Sequence, residues 1–326
     1  FTVSMMVGVI GCAALAFPTS WVVFLAVFVI AKVGYNASLI FYDSMLVDIT
    51  DHDRMDVVSS YGYAWGYIGS CVPFVISLVF VLMYEKIGIT IGMAMMLAFF
   101  LNAAWWFLVT IPLLKKYKQV NYAQMPTHPV RDSFRRLINT LKDIKAEKNI
   151  FLYLLSFFFF IDGVYTIIEM ATAYGSALGL DSTGLLLALL VTQIVAFPCA
   201  LIFARCSKKY ETDLLIKICI AAYTGIALFA IQLDKQWEFW LLAVGMFQGA
   251  IQALSRSYFA KIIPAEKAGE YFGIYDICGK GASFLGTTLV GVIAQLTNVA
   301  NAGVAMITVL FVIGFVLFCK AAKLNK

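Results

Sequence analysis

The sequence predicts an all-helical integral membrane fold built as two helical bundles, and three observations predict it. The chain of 326 residues is 62% hydrophobic and 13% charged, where soluble domains run about 45–50% and about 25%. Its apolar residues form continuous runs rather than the alternation that a membrane β-strand requires. Its cations gather in every second connection between those runs. So little polar surface cannot cover a chain in water, and its solvent is therefore mostly lipid. Disordered, collagen-like, nucleic-acid-binding and secreted disulfide-framework classes are excluded on the same ground.

Taken in order, ten runs approach the roughly 20 residues that a bilayer core demands of a helix. They are Phe1–Phe17, closed by Pro18, then Trp21–Leu46, Tyr61–Met83, Ile89–Leu114, Ile150–Thr172, Gly184–Arg205, Leu214–Gln232, Trp237–Ala260, Phe272–Leu296 and Ala302–Lys320. Short connections make most neighbours antiparallel. Residues 1–114 read as the remainder of an N-terminal bundle with four spans, 115–149 as a basic linker, and 150–326 as a six-helix bundle. The chain opens inside an apolar run, without a Met or the basic flank of a signal peptide, and a longer natural N-terminus is expected.

Arg54, the cations between Lys115 and Lys148, Arg205, Lys208, Lys209, Arg256, Lys261, Lys267 and the tail lysines fall on one side. Lys86 and Lys235 fall on the other. The basic side is expected to face the cytoplasm, in a bacterial plasma membrane or, in a eukaryote, a vacuolar one. Within the linker, Val130, Phe134, Leu137, Ile138, Leu141 and Ile144 recur at helical spacing, with Arg131, Arg135, Lys142 and Lys145 elsewhere on the wheel. That pattern suits a helix lying on an anionic leaflet.

Seven cysteines lie in or at the edges of apolar runs, and no CxxC occurs. His52 and His128 sit in connections. Without clustered ligands there is no metal site to assign, and no cofactor is implied.

Gly34 and Gly245 precede the ends of two runs, and Gly62 and Gly273 follow the next charged loops; both pairs are offset by 211 residues (245 − 34 and 273 − 62). If the halves are parallel repeats, the second opens near Ile150 and the first about 61 residues before Phe1 (150 − 211), room for two more spans at about 20 residues each. The expectation is ten of twelve helices, the first two missing.

Ionisable and amide groups inside such runs cost about 2.5–3.5 kcal/mol for a charge on insertion scales and usually face a cavity or a partner. Lys32, Asn36 and Asp43 share one face of the second run. Asp162, Thr166 and Glu169 share a face of the fifth. Gln193 lies in the sixth; Gln248, Gln252 and Arg256 step by four along the eighth; Asp276 and Lys280 are an i,i+4 pair in the ninth. These residues other than Arg256 are the candidate pathway for substrate and ion, with inter-helix bonding as the alternative. No Gly-x-Ser-x-Gly, HExxH or Gly-x-x-x-x-Gly-Lys-Ser/Thr pattern is present, so catalysis is not expected. Pro73, Pro112 and Pro198 are candidate hinges.

The stretch Gly34-Tyr-Asn-Ala-Ser-Leu-Ile-Phe-Tyr-Asp-Ser-Met-Leu46, leading into Ser60-Tyr-Gly-Tyr-Ala-Trp-Gly-Tyr-Ile-Gly69, resembles the major facilitator branch of the autophagy-linked vacuolar amino-acid effluxers and their bacterial relatives. So do Asp162-Gly-Val-Tyr-Thr166, Gln193-Ile-Val-Ala-Phe-Pro198, and Gln252 through Pro264 running into Glu270-Tyr-Phe-Gly273. The chain departs from that pattern at Asp43 and Val47, and at Lys208, where the superfamily's loop signature has Asp. The resemblance implies twelve helices in two bundles and movement of amino acids or similar small solutes by alternating access. Proton or sodium coupling, a lipid bilayer and no nucleic acid complete the expected partners, with oligomeric state open. A sugar–cation symporter of the same fold and a non-transporting scaffold or lipid-handling protein are the alternatives.

Overall fold

The computed structural model describes residues 1–17, 20–121, 129–177, 182–231, 237–297 and 300–325. Pro18, His128, Gln232, Lys235 and the side chain of Val130, all used in the sequence reading, lie outside the described residues. Those residues form two compact units, Phe1–Ile49 with Ile68–Val120, and Thr50–Tyr67 with Asn121–Lys326.

The first unit contains α1 (Thr2–Ala14), α2 (Trp21–Ser44), α3 (Leu46–Ile49), the later part of α4 (Met55–Leu82), α5 (Tyr84–Ile87) and α6 (Ile91–Lys116). Ser20 is extended and its side chain accepts the Val23 N–H at 3.4 Å, which starts α2. Thr90 does the same for α6 through Met93 N–H at 3.2 Å. Each cap satisfies an amide that the helix itself leaves unpaired. The crossing of α1 and α2 needs glycine, because a Cβ on Gly34 would lie 2.5 Å from the Gly8 nitrogen. In lipid such small residues let backbones approach and pack, which supplies much of the association between helices. Trp106 of α6 packs edge-on against Tyr35 at 5.7 Å, and Asn102 of α6 donates to Ser77 of α4 at 3.1 Å.

The second unit adds α7 (Pro129–Ala146), α8 (Lys148–Ala177), α9 (Ser182–Cys206), α10 (Thr212–Ile231), α11 (Trp237–Ile262), α12 (Ala268–Thr297) and α13 (Ala300–Leu324). Helix α8 packs on α12 and α13, α11 on α9 and α10, and α10 on α13. Aromatic rings fill the centre, where Tyr153 stands 4.9 Å from Tyr258 and 5.9 Å from Phe259. Its hydroxyl donates to the Ser255 carbonyl at 2.7 Å, so a buried phenol is not left unsatisfied.

Eight helical segments among the described residues are long and apolar enough to cross a membrane: Trp21–Ile49, His52–Leu82, Ile91–Lys116, Lys148–Met170, Thr183–Cys206, Thr212–Ala230, Ala265–Thr297 and Ala305–Leu324. Of the ten runs read from the sequence, the two outside this set have physical reasons. Helix α1 has 13 residues, about 20 Å. Helix α11 carries Gln248, Gln252, Ser255, Arg256 and Ser257 on its later turns, which lowers its mean hydropathy. Outward faces are apolar: α2 leaves Trp21, Val22, Leu25, Val29, Ile30 and Val33 exposed. A water-soluble monomer does not present so large an apolar surface.

Candidate functional site

Helix α8 crosses the second unit with Asp162 and Thr166 one turn apart, and both are buried. Asp162 Oδ1 accepts from Thr166 Oγ1 at 3.3 Å and from the Gly286 backbone N–H of α12 at 3.0 Å. Gly286 is what allows this, since any Cβ there would overlap the carboxylate. The carboxyl is therefore held by a hydroxyl and an amide rather than by a cation, 1% exposed. Glu169, seven residues on, is exposed.

Helix α11 gathers more. Gln248 is buried and hydrogen-bonded to the Tyr67 hydroxyl, and Gln252 is half-buried. Arg256 is buried, its Nε donating to Ser59 Oγ at 3.0 Å and its Nη2 to the Ser59 carbonyl at 3.2 Å. The guanidinium also lies 4.9 Å from the centre of the Tyr63 ring, a favourable cation–π placement once water is excluded. Ser59 Oγ in turn donates to the Ala253 carbonyl at 2.7 Å.

One turn further along this seam, Asp56 is saturated with donors. Its Oδ1 accepts from Ser257 Oγ at 2.6 Å, and its Oδ2 from Lys261 Nζ and Thr212 Oγ1, each at 2.6 Å. Asp56 and Lys261 side chains are only 6% and 15% exposed. The first turns of α4 thus present Asp56, Ser59, Tyr63 and Tyr67, at spacings of three, four and four, to α11 and the start of α10.

The other candidates are placed as follows. Asp276 and Lys280 pair along α12 at 2.6 Å, half-exposed. Gln193 is half-buried on α9, beside Thr192, whose carbonyl faces Gly245 of α11. In the first unit, Lys32 is exposed with its ammonium 5.5 Å from the Tyr35 ring centre, and Asn36 and Asp43 are half-buried. Also in that unit, Tyr117 donates to Asp48; burial, and then that carboxylate, push the Tyr117 phenol up from its ordinary value. Among the described residues no group of three or more His, Cys, Asp or Glu is arranged to hold a metal ion, and no cysteine is in a disulfide.

Sequence reasoning missed Asp56, Ser59, Thr212, Ser257 and Lys261. It began the third span at Tyr61 and assigned what precedes it to a charged loop, whereas α4 begins at Met55. It also ended the eighth run at Ala260 and left Lys261 to the following connection, whereas Lys261 lies in the last turn of α11 with a buried partner. The available signal was the helical spacing of Asp56, Ser59, Tyr63 and Tyr67 across the assumed loop boundary.

Comparison with known proteins agrees with this architecture. Residues 1–323 match the family described as vacuole effluxer Atg22 like. The chain is 43% identical over 316 residues to the MFS-type transporter YxiO of Bacillus subtilis, covering 95% of this chain and 74% of that protein. It is 25% identical over 244 residues to autophagy-related protein 22 of Cryptococcus neoformans, covering 68% of this chain and 45% of the fungal protein. The chain thus spans about half the length of the fungal relatives it matches. Among solved structures, the fucose transporter FucP in its outward conformation superposes with a TM-score of 0.72 at 10% identity, covering 98% of this chain and 81% of FucP. The human organic anion transporter MFSD10 superposes with a TM-score of 0.62 at 17% identity, covering 97% of this chain and 75% of MFSD10.

Proposed function

The chain belongs to the Atg22-like family and is an integral membrane transporter of the major facilitator type, and on that premise we propose that it moves amino acids or similar small solutes by alternating access. The observation that carries the reading is Asp162, a carboxyl buried inside a membrane helix whose hydrogen-bond donors among the described residues are neutral. Burying an ionised carboxylate is expensive, and a proton removes the cost. Such a group exchanges protons when a change of access admits water to it, and the coupling works because the protonated and ionised forms favour different access states. Gln248, Gln252, Asn36 and Lys32 are the proposed solute contacts, with Glu169, Gln193, Asp43, Asp276 and Lys280 along the pathway.

The seam of Asp56, Ser59, Lys261 and Arg256 is the proposed catch for one access state. Its bonds link α4 to α10 and α11 and must be exchanged for others when that state opens. The proposal includes the twelve-helix arrangement in two six-helix halves, supported by the 211-residue glycine offsets. It also includes a plasma or vacuolar membrane location with the basic connections facing the cytoplasm, supported by the asymmetry of Lys and Arg.

The test is counterflow in proteoliposomes made with the full chain. Labelled amino acids should exchange and labelled sugars should not. Asp162→Asn keeps an acceptor for Gly286 N–H and Thr166 but cannot titrate, so its exchange rate should be flat across pH where the parent's is not. A parent-like pH profile in that variant would remove Asp162 from the coupling, and sugar exchange would favour the symporter alternative.

A further inference from the structure

Helix α7 has two apolar flanks, and the structure uses only one of them. Its inner side is docked on the second unit: Thr140 and Ile144 are buried, Thr140 Oγ1 donates to Glu270 at 2.6 Å, and Asp143 accepts from Lys267 Nζ at 2.7 Å. Its outer side carries Phe134, Ile138 and Leu141, which are 65%, 53% and 49% exposed. Spacings of four and three place these three on one stripe. Arg131, Arg135, Lys142 and Lys145 are exposed around that stripe. Of the carboxylates on this helix, Asp132 is engaged by Arg135 at 3.2 Å and Asp143 by Lys267, which leaves the positive charge of the outer face to Arg131, Lys142 and Lys145.

Position supplies the other half of the argument. Glu147 alone separates the last residue of α7 from Lys148, the first residue of a membrane-crossing segment. The C-terminal end of α7 is therefore at the boundary where hydrocarbon gives way to headgroups. An apolar stripe bordered by cations at that depth matches one partner chemistry, acyl chains below and phosphate anions above.

We propose that the outer face of α7 is a docking surface for the anionic phospholipid leaflet, with Phe134, Ile138 and Leu141 inserted among acyl chains and Arg131, Lys142 and Lys145 on lipid phosphates. Helix α7 then joins the leaflet to the start of α12 through Thr140–Glu270 and Asp143–Lys267. The inference does not depend on which solute is carried.

The experiment places a benzophenone amino acid at position 138 of the full chain, and separately at 139, in nanodiscs of equal parts phosphatidylcholine and phosphatidylglycerol. Asn139 is exposed but about 100° round the helix. After irradiation, mass spectrometry should find lipid adducts at 138 and none at 139. Phosphatidylglycerol should be over-represented about five-fold among them, equivalent to one cation's attraction to an anionic surface, and molar salt should erase that preference. The variant Arg131→Gln/Lys142→Gln/Lys145→Gln should lose it too. Absence of a lipid adduct at 138, or an adduct to a second polypeptide, overturns the proposal. So does a lipid adduct without preference for the anionic headgroup, or a preference that survives both salt and charge removal.

Discussion

Helix α2 carries Lys32, Asn36 and Asp43 at spacings of four and seven, and helix α11 carries Gln248, Gln252 and Arg256 at spacings of four. Lys32 stays exposed against the ring of its own neighbour Tyr35. Arg256 is buried with three contacts to α4. The difference lies in what faces each stripe. Helix α4 offers α11 a matching polar row, and once water is excluded each donor must find its acceptor or bear the full desolvation cost. At the 211-residue offset, the counterpart of Arg256 is Met45 (256 − 211); the two glycines recur at that offset and the arginine does not. The glycines also serve different neighbours, since Gly34 meets α1 and Gly245 meets α9.

The largest effect expected is from Asp56→Ala, which strands Lys261 in a desolvated site. Removing one member of a buried pair costs about 3–5 kcal/mol, seen as a large fall in the unfolding temperature of the purified full chain. The double variant Asp56→Leu/Lys261→Met should recover most of that loss, and failure to recover would mean the seam holds by something other than charge pairing.

Next comes the backbone approach in the other unit. Gly34→Ala forces a Cβ against the α1 backbone and should cost about 1–3 kcal/mol by overpacking. Gly273→Ala, whose Cβ would meet open space, should be neutral or slightly stabilising in the same assay. Equal effects from the two would show that the α1–α2 crossing is looser than its geometry.

The smallest change belongs to the α2 stripe. Lys32→Ala should move stability by less than about 1 kcal/mol, the usual worth of an exposed charged contact, while reducing solute exchange if Lys32 serves as a contact. A stability loss matching that of Asp56→Ala would erase the distinction between the two stripes.

Much of the fold was legible because hydropathy is additive over a local window. Runs such as Trp21–Leu46 and Ile150–Thr172 announce helices whatever surrounds them, and the linker's apolar spacing announced α7. Asp162 and Thr166 were legible as a pair for the same local reason, being one turn apart. Their bond to Gly286 was not, because that glycine lies 124 positions away in the chain. The start of α4 was hidden by Asp51 to Asp56, whose charges resemble a loop until Lys261 and Thr212 are seen to neutralise and bind Asp56.

What the chain alone determined is its solvent, its helical form and the asymmetry of its basic connections, since each follows from residue type and spacing summed along a short stretch. Which polar side chains become buried partners was decided by tertiary structure alone. Ser59 and Arg256 are 197 positions apart, and Asp56 and Lys261 are 205 apart. Whether a charge is neutralised or left bare depends on what a distant helix places within about 3 Å of it, and no local sum contains that distance.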